Sequence, residues 1–111
     1  MAAVDTEHLM RVAHRLDDEA AAIRRRAARL GDAASAAAWR GRAADAFRAC
    51  VAGQSSSLRH AAGRLESAAD ALRTHARIVR RVEEVAHAAE RAGHAVTDGA
   101  RDVARAVTHI L

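Results

Sequence analysis

A chain of 111 residues forms at most one domain with a modest core. Half of its residues are hydrophobic, but most of these are alanines; proline is absent and glycine scarce, a composition that favours long helices. The 18 basic residues, all arginine, are interspersed with 14 acidic ones, which is typical of solvated helix faces rather than of a nucleic-acid-binding surface.

The sequence contains no motif for catalysis or for a metal site. No two of the seven histidines are spaced i, i+4, and there is neither a Ser/His/Asp pattern nor a glycine-rich phosphate loop. Cys50 is the only cysteine, which excludes an internal disulfide, and its apolar neighbours predict a packed thiol. We therefore expect a protein that is not an enzyme and that binds no metal, cofactor or small-molecule substrate.

No signal for membrane insertion or for processed export is present either. No segment approaches the ~18 consecutive apolar residues of a membrane span. The N-terminus lacks the basic region and the apolar block of a cleavable signal peptide. If the chain is exported, we expect the signal to lie within the fold.

The first predicted helix covers about residues 5–38. Asp5 or Thr6 is a plausible N-cap, and apolar residues then recur at spacings of three and four, as in the seam of a coiled coil. Gly31 could end the helix, but the periodicity continues past it to Ala37. The large residues of this seam are Leu9, Val12, Leu16, Ile23 and Leu30, with Ala20, Ala27, Ala34 and Ala37 between or after them.

An aromatic pair flanks a glycine near the middle of the chain. Trp39 is the only tryptophan, Phe47 is the only phenylalanine, and Gly41 lies between them. Glycine readily adopts the positive φ that ends a helix. With helical segments on both sides, residues 39–41 are predicted to form the corner of an antiparallel helical hairpin.

The second predicted helix covers about residues 42–92 and keeps a heptad seam. The serines at 55–57 could mark a linker, but the periodicity passes through them, which favours a helix with one polar layer. The seam holds Val51, Leu58, Leu65, Leu72 and Val79 at one heptad position, and Phe47, Gln54, Ala61, Ala68, His75 and Val82 at the other.

A reversal near the corner would bring together residues whose numbers sum to about 80. Leu65 would then face Leu16, Leu72 would face Leu9, and Ala68 would face Val12. Layers that oppose a large and a small side chain let two helices approach closely.

The hairpin is predicted to occupy residues 1–84, which leaves residues 85–111 as a helical extension. Gly93 and the Thr97-Asp98-Gly99 cluster predict a break near 93–99, after which a short helix would end near Ile110. The few large apolar side chains of the hairpin offset little of the conformational entropy of folding. We therefore expect it to pair with a second hairpin, in a homodimer or a heterodimer, as a four-helix bundle.

Trp39-Arg40-Gly41, followed by Ala43-Ala44 and Phe47, resembles the Trp-x-Gly motif of the WXG family, the early-secreted-antigen-like proteins of type VII (ESX) secretion systems. The resemblance covers about residues 5–84. It implies a helical hairpin with the motif at its turn, pairing into a four-helix bundle, and export of the folded protein without a cleavable signal peptide.

The second family motif, Tyr-x-x-x-Asp/Glu near the end of the second helix, matches only in part. Glu83 supplies the acid, but Val79 replaces the tyrosine. The resemblance implies that Trp39, Gly41, Phe47, Val79 and Glu83 form the secretion signal, and that a partner could supply the intact motif. The extension is similar to longer relatives whose hairpin targets a secreted effector.

These observations leave three functional hypotheses. The first is a type VII substrate or secretion partner, which pairs with another WXG-type hairpin and engages a larger effector or the secretion ATPase. The second is a helical adaptor or chaperone that stays in the cytoplasm. The third is an Arg-rich bundle that binds nucleic acid.

Overall fold

The computed structural model describes residues 5–111, so the first four residues of the predicted hairpin range 1–84 lie outside it. Two helices account for nearly all of the described chain: α1, Thr6–Ala36, and α2, Arg42–Ile110. No strand occurs within residues 5–111. The all-α fold and the antiparallel hairpin predicted from the sequence are confirmed.

The start of α1 is the one predicted. The side chain of Asp5 accepts a hydrogen bond of 3.1 Å from the backbone N–H of His8, which satisfies one of the free donors at the helix start. The helix ends at Ala36, two residues before the predicted end, because Ala37 already has an extended backbone. Gly41, immediately before α2, has φ of 109° and is the only residue with positive φ in the described chain.

Alanines form the interior of the hairpin. The buried residues of α1 are spaced by seven, as are the last four buried residues of α2, and no large side chain of the described chain is fully buried. Rows of methyl groups on facing helices allow a close approach of the two backbones. The rows are Ala13, Ala20, Ala27 and Ala34 in α1 and Ser55, Ala62, Ala69 and Ala76 in α2, with Ala44 and Val51 also buried near the corner.

One row of the predicted α2 seam is wrong by a single residue. The structure buries Ser55, Ala62, Ala69 and Ala76, and it exposes the predicted residues Gln54, Ala61, Ala68 and His75. Phe47 is likewise exposed and does not pack in the seam. In α1, Ala13 is buried and Val12 only half-buried. The close approach of the helices selects the smallest side chains, whereas the predicted row includes the larger Phe47 and Val82.

The register between the helices also differs from the predicted one away from the corner. The hydroxyl of Ser55 donates a hydrogen bond of 3.2 Å to the carbonyl oxygen of Ala27, and Glu66 pairs with Arg24. The first pair has residue numbers that sum to 82, close to the predicted value of about 80. The second sums to 90, as does the pair of Arg73 with Asp17 further from the corner. The polar group of the interior is therefore Ser55, not Gln54, and its hydroxyl is satisfied across the hairpin.

The chain divides into two compact units, the first ending at Ala76 and the second covering Arg77–Leu111. The hairpin unit thus ends before the predicted boundary at 84. The second unit is helical as far as Ile110, and the predicted break near 93–99 is not present. The Thr97 hydroxyl donates a hydrogen bond of 2.9 Å to the Gly93 carbonyl oxygen, a contact made within the continuous helix.

Candidate recognition site at the corner

The two aromatic side chains meet at the corner of the hairpin. The ring centroids of Trp39 and Phe47 are 5.4 Å apart at an interplanar angle of 33°. Trp39 is 49% exposed and Phe47 is 42% exposed. The pair therefore fixes the orientation of both rings, which stay accessible to a binding partner.

Gly41 sets the direction in which the chain enters α2. Its carbonyl oxygen accepts a hydrogen bond of 2.9 Å from the backbone N–H of Asp45, so Gly41 contacts the first turn of α2 while keeping its positive φ. A side chain at this φ is strained whatever the surrounding space, and the space around Gly41 is open.

Replacing Gly41 by alanine is expected to lower the free energy of unfolding by about 1–2 kcal/mol, because alanine disfavours positive φ. Thermal unfolding followed by circular dichroism measures the effect. Gly53 is the matched control, since it lies inside α2 with open space around it. Gly53→Ala should stabilise the helix by roughly 0.5–1 kcal/mol. Equal gains from both substitutions would contradict the conformational role of Gly41.

Arg48 donates hydrogen bonds to three carbonyl oxygens at the corner, a role that no sequence pattern indicated directly. Its Nη2 donates hydrogen bonds to the carbonyl oxygens of Ala37 (2.9 Å) and Trp39 (2.8 Å), and its Nε donates to that of Ala34 (3.4 Å). The last turn of α1 contains no basic residue of its own. Arg48, projecting from α2, supplies the positive charge and the donors that a helix C-terminus needs.

Ion pairs across the hairpin hold α1 and α2 in register. Arg24 donates to Glu66 through Nε (3.0 Å) and Nη2, and Arg73 donates to Asp17 on α1 and to Asp70 on α2. The hydrogen bond with Asp17 raises the pKa of Arg73. The charges sit at the solvated edge of the interface and add specificity of pairing rather than a core.

Most of the predicted large seam residues are half-buried; Val51 is buried, and Phe47 and Val82 are exposed. Each of the half-buried residues lies beside the alanine rows, seven residues from its neighbour in the same row, and keeps part of its side chain open to solvent. These residues are Leu9, Leu16, Ile23 and Leu30 in α1 and Leu58, Leu65 and Leu72 in α2, with Val12 half-buried next to Ala13. Two parallel rows of aliphatic side chains of this kind are suited to contact a further helix.

The two residues of the predicted second motif belong to the second unit, whereas Trp39, Gly41 and Phe47 belong to the first. Val79 is half-buried and Glu83 is exposed, one helical turn further along α2. Residues four apart lie on the same face of a helix. Val79 and Glu83 therefore share one face of α2.

Other candidate chemistry receives no support. Residues 5–111 contain no group of three or more His, Cys, Asp or Glu side chains placed to hold a metal ion. Cys50 is exposed, so the prediction of a packed thiol is wrong, and His75 points to solvent next to the buried Ala76. Neither helix, over the same residues, has a stretch that is long and apolar enough to cross a membrane.

Comparison of the chain with models of known protein families, with characterised proteins and with solved structures gives no match.

Proposed function

We propose that this chain is a small, non-enzymatic type VII secretion substrate or secretion partner. It pairs its hairpin with a second hairpin and presents the corner around Trp39 for recognition. The observation that carries the proposal is the exposed Trp39–Phe47 pair, set at the turn of a helical hairpin beside the positive-φ Gly41. Exposed aromatic rings at a constrained turn contribute little to a core and are well suited to binding.

The half-buried aliphatic rows support the pairing of two hairpins. The hairpin interior consists mainly of alanines, so Leu16, Leu65 and their row neighbours keep apolar surface in contact with water. A second hairpin laid on this surface would complete a four-helix bundle and bury both sets of rows. The partner is a second copy or another WXG-type hairpin.

The incomplete second motif bears on how the export machinery recognises the chain. Glu83 is exposed and available, but Val79 offers no aromatic ring or hydroxyl. In this proposal the hairpin partner, or a larger effector bound to it, supplies the missing aromatic residue. The secretion ATPase then reads the Trp39 corner together with that partner.

Replacing Trp39 by alanine is expected to reduce export about tenfold or more, since truncating a central interface tryptophan typically costs ~2 kcal/mol or more. The measurement is the amount of protein in the culture medium of a type VII-competent bacterium, with and without an intact secretion ATPase. Met10→Ala is the matched control, because Met10 is another exposed large apolar residue, remote in sequence from the corner. Helicity should remain unchanged in both variants.

Other results would overturn the proposal. Wild-type protein that stays inside the cell when the ATPase is intact would favour the cytoplasmic adaptor instead. Loss of helicity in Trp39→Ala would mean that Trp39 acts as a packing residue. Binding to DNA that falls steeply as salt rises would favour the nucleic-acid hypothesis.

A further inference from the structure

The second unit carries an uncovered apolar stripe. Six large aliphatic side chains between Arg77 and Leu111 are 55% to 84% exposed. At the 100° per residue of an α-helix, the six fall within an arc of roughly 80°. We call this surface the extension stripe; it consists of Ile78, Val82, Val85, Val96, Val103 and Ile110.

Most charged residues of the second unit lie away from the extension stripe; the exception is Arg81, which borders it beside Ile78 and Val85. Every Asp, Glu and Arg between residues 83 and 105 projects from the opposite half of the same helix, by the same geometry. A helix that is apolar on one side and charged on the other is amphipathic, and it gains stability when the apolar side is covered. The helix therefore has a defined docking face.

The composition of the second unit favours a protein over a lipid surface. Its six arginines are balanced by five carboxylates, and it contains no aromatic residue. Helices that bind at membrane surfaces combine an excess of positive charge with Trp or Phe on the apolar side. The extension stripe, made of Val and Ile with alanines between them, has the composition of a helix–helix interface.

The area of the stripe fits a specific interface. The transfer energy of one aliphatic side chain corresponds to ~60–120 Å² of apolar surface removed from water. Six of these side chains therefore present on the order of 500 Å². Two stripes in contact would bury about 1,000 Å², which is the lower bound for a specific protein–protein interface.

The stripe is complementary to itself when two copies run antiparallel. A register in which facing residue numbers sum to 188 opposes Val82 to Ala106 and Val96 to Ala92, and it keeps the whole stripe in contact. A parallel pair would contain four layers made only of Ala or Gly, at positions 89, 92, 99 and 106. The antiparallel pair contains two such layers, each formed by Ala89 of one copy with Gly99 of the other. Large and small side chains are therefore distributed more evenly along the antiparallel pair.

We propose that the extension stripe is a self-association surface, on which a second copy of this chain docks antiparallel through residues 78–110. This surface is separate from the aliphatic rows of the hairpin, and the proposal does not depend on secretion. It gives each copy two distinct faces, one for a hairpin partner and one for a second copy of itself.

Disulfide trapping tests both the pairing and its direction. The full chain is prepared with Cys50→Ser, because the exposed native thiol would cross-link unspecifically. Val82→Cys and Ala106→Cys are then introduced in separate chains, which are mixed in a thiol redox buffer. The expected result is a mixed disulfide between the two, about tenfold above the homodisulfide of either chain, because the register holds those two positions together.

A second mixture of cysteine variants measures how much mixed disulfide forms by random collision. Asp98→Cys, on the charged side of the same helix, replaces Val82→Cys in the mixture and should give only the background. Val96→Glu, added to both partner chains, should reduce the mixed disulfide to that background while leaving helicity intact, because Val96 is exposed. A predominant Val82→Cys homodisulfide, or a mixed disulfide no stronger than the Asp98→Cys background, would overturn the proposal. If the chains pair only through their hairpins, the mixed disulfide will be no stronger than the Asp98→Cys background. That result does not depend on the outcome of the export experiment.

Discussion

Replacing Ala62 by leucine is expected to lower the free energy of unfolding of the hairpin by about 2–3 kcal/mol. Ala62 is 0% exposed and belongs to the α2 row that packs against the alanines of α1. A leucine there needs room for three further carbon atoms, so the helices would have to separate along their length. For a unit of this size the melting temperature would fall by on the order of 10 °C.

The matched control is Ala61→Leu, one residue away and exposed. Alanine and leucine have similar helix propensities, so this substitution should change stability by less than about 0.5 kcal/mol. Thermal and urea unfolding followed by circular dichroism, at one protein concentration, compares the two variants. A neutral Ala62→Leu together with a damaging Ala61→Leu would restore the seam predicted from the sequence.

The heptad periodicity of the sequence predicts the helices, but it does not distinguish two neighbouring rows that are both rich in alanine. The heptad spacing correctly predicted two helices and the corner between them, and it placed Ala20, Ala27 and Ala34 in the α1 seam, where they are buried. The second row of α2 was ambiguous, because the candidate rows through Ala61 and Ala62 are both rich in alanine and differ by one residue. The predicted row holds the large Phe47, but close packing favours the row that holds the smallest side chains.

The C-terminal extension shows why residues that usually break helices did not predict a break correctly. Gly93 and Gly99 each cost ~1 kcal/mol in a helix interior, and Asp98 could have capped a new helix. A break would leave carbonyl and N–H groups at two additional helix ends without intrahelical partners. The continuous helix satisfies these groups and contains no proline that would interrupt it. Local breakers were therefore outweighed by backbone hydrogen bonding.

The part of the candidate site that consists of rare residue types could be predicted from the sequence. The scarcity of aromatic residues and the position of Gly41 pointed to the corner, where the structure places Trp39 against Phe47. Arg48 was missed because its partners are backbone carbonyls, which carry no mark in the sequence. The available signal was indirect: α1 has no basic residue in its last turn, and an arginine follows soon after the corner.

Replacing Arg48 by methionine is expected to destabilise the hairpin by about 2 kcal/mol, because hydrogen bonds from a charged donor contribute ~1.5–3 kcal/mol each and these are partly exposed. Methionine keeps much of the aliphatic stem and removes the donors. The ion pair of Arg48 with Asp45, at 3.8 Å and with Asp45 largely exposed, adds little to the loss.

Arg64→Met is the matched control, since Arg64 lies exposed in the middle of α2. Urea unfolding compares the stabilities, and the fluorescence of the single tryptophan reports on the corner in the folded state. We expect Arg48→Met alone to shift the Trp39 emission, because Arg48 binds the Trp39 carbonyl oxygen directly. Equal stabilities and unchanged emission in the two variants would contradict the role of Arg48. A shifted emission with reduced export would instead mean that the backbone of the corner, and not only its aromatic rings, is held in place for recognition.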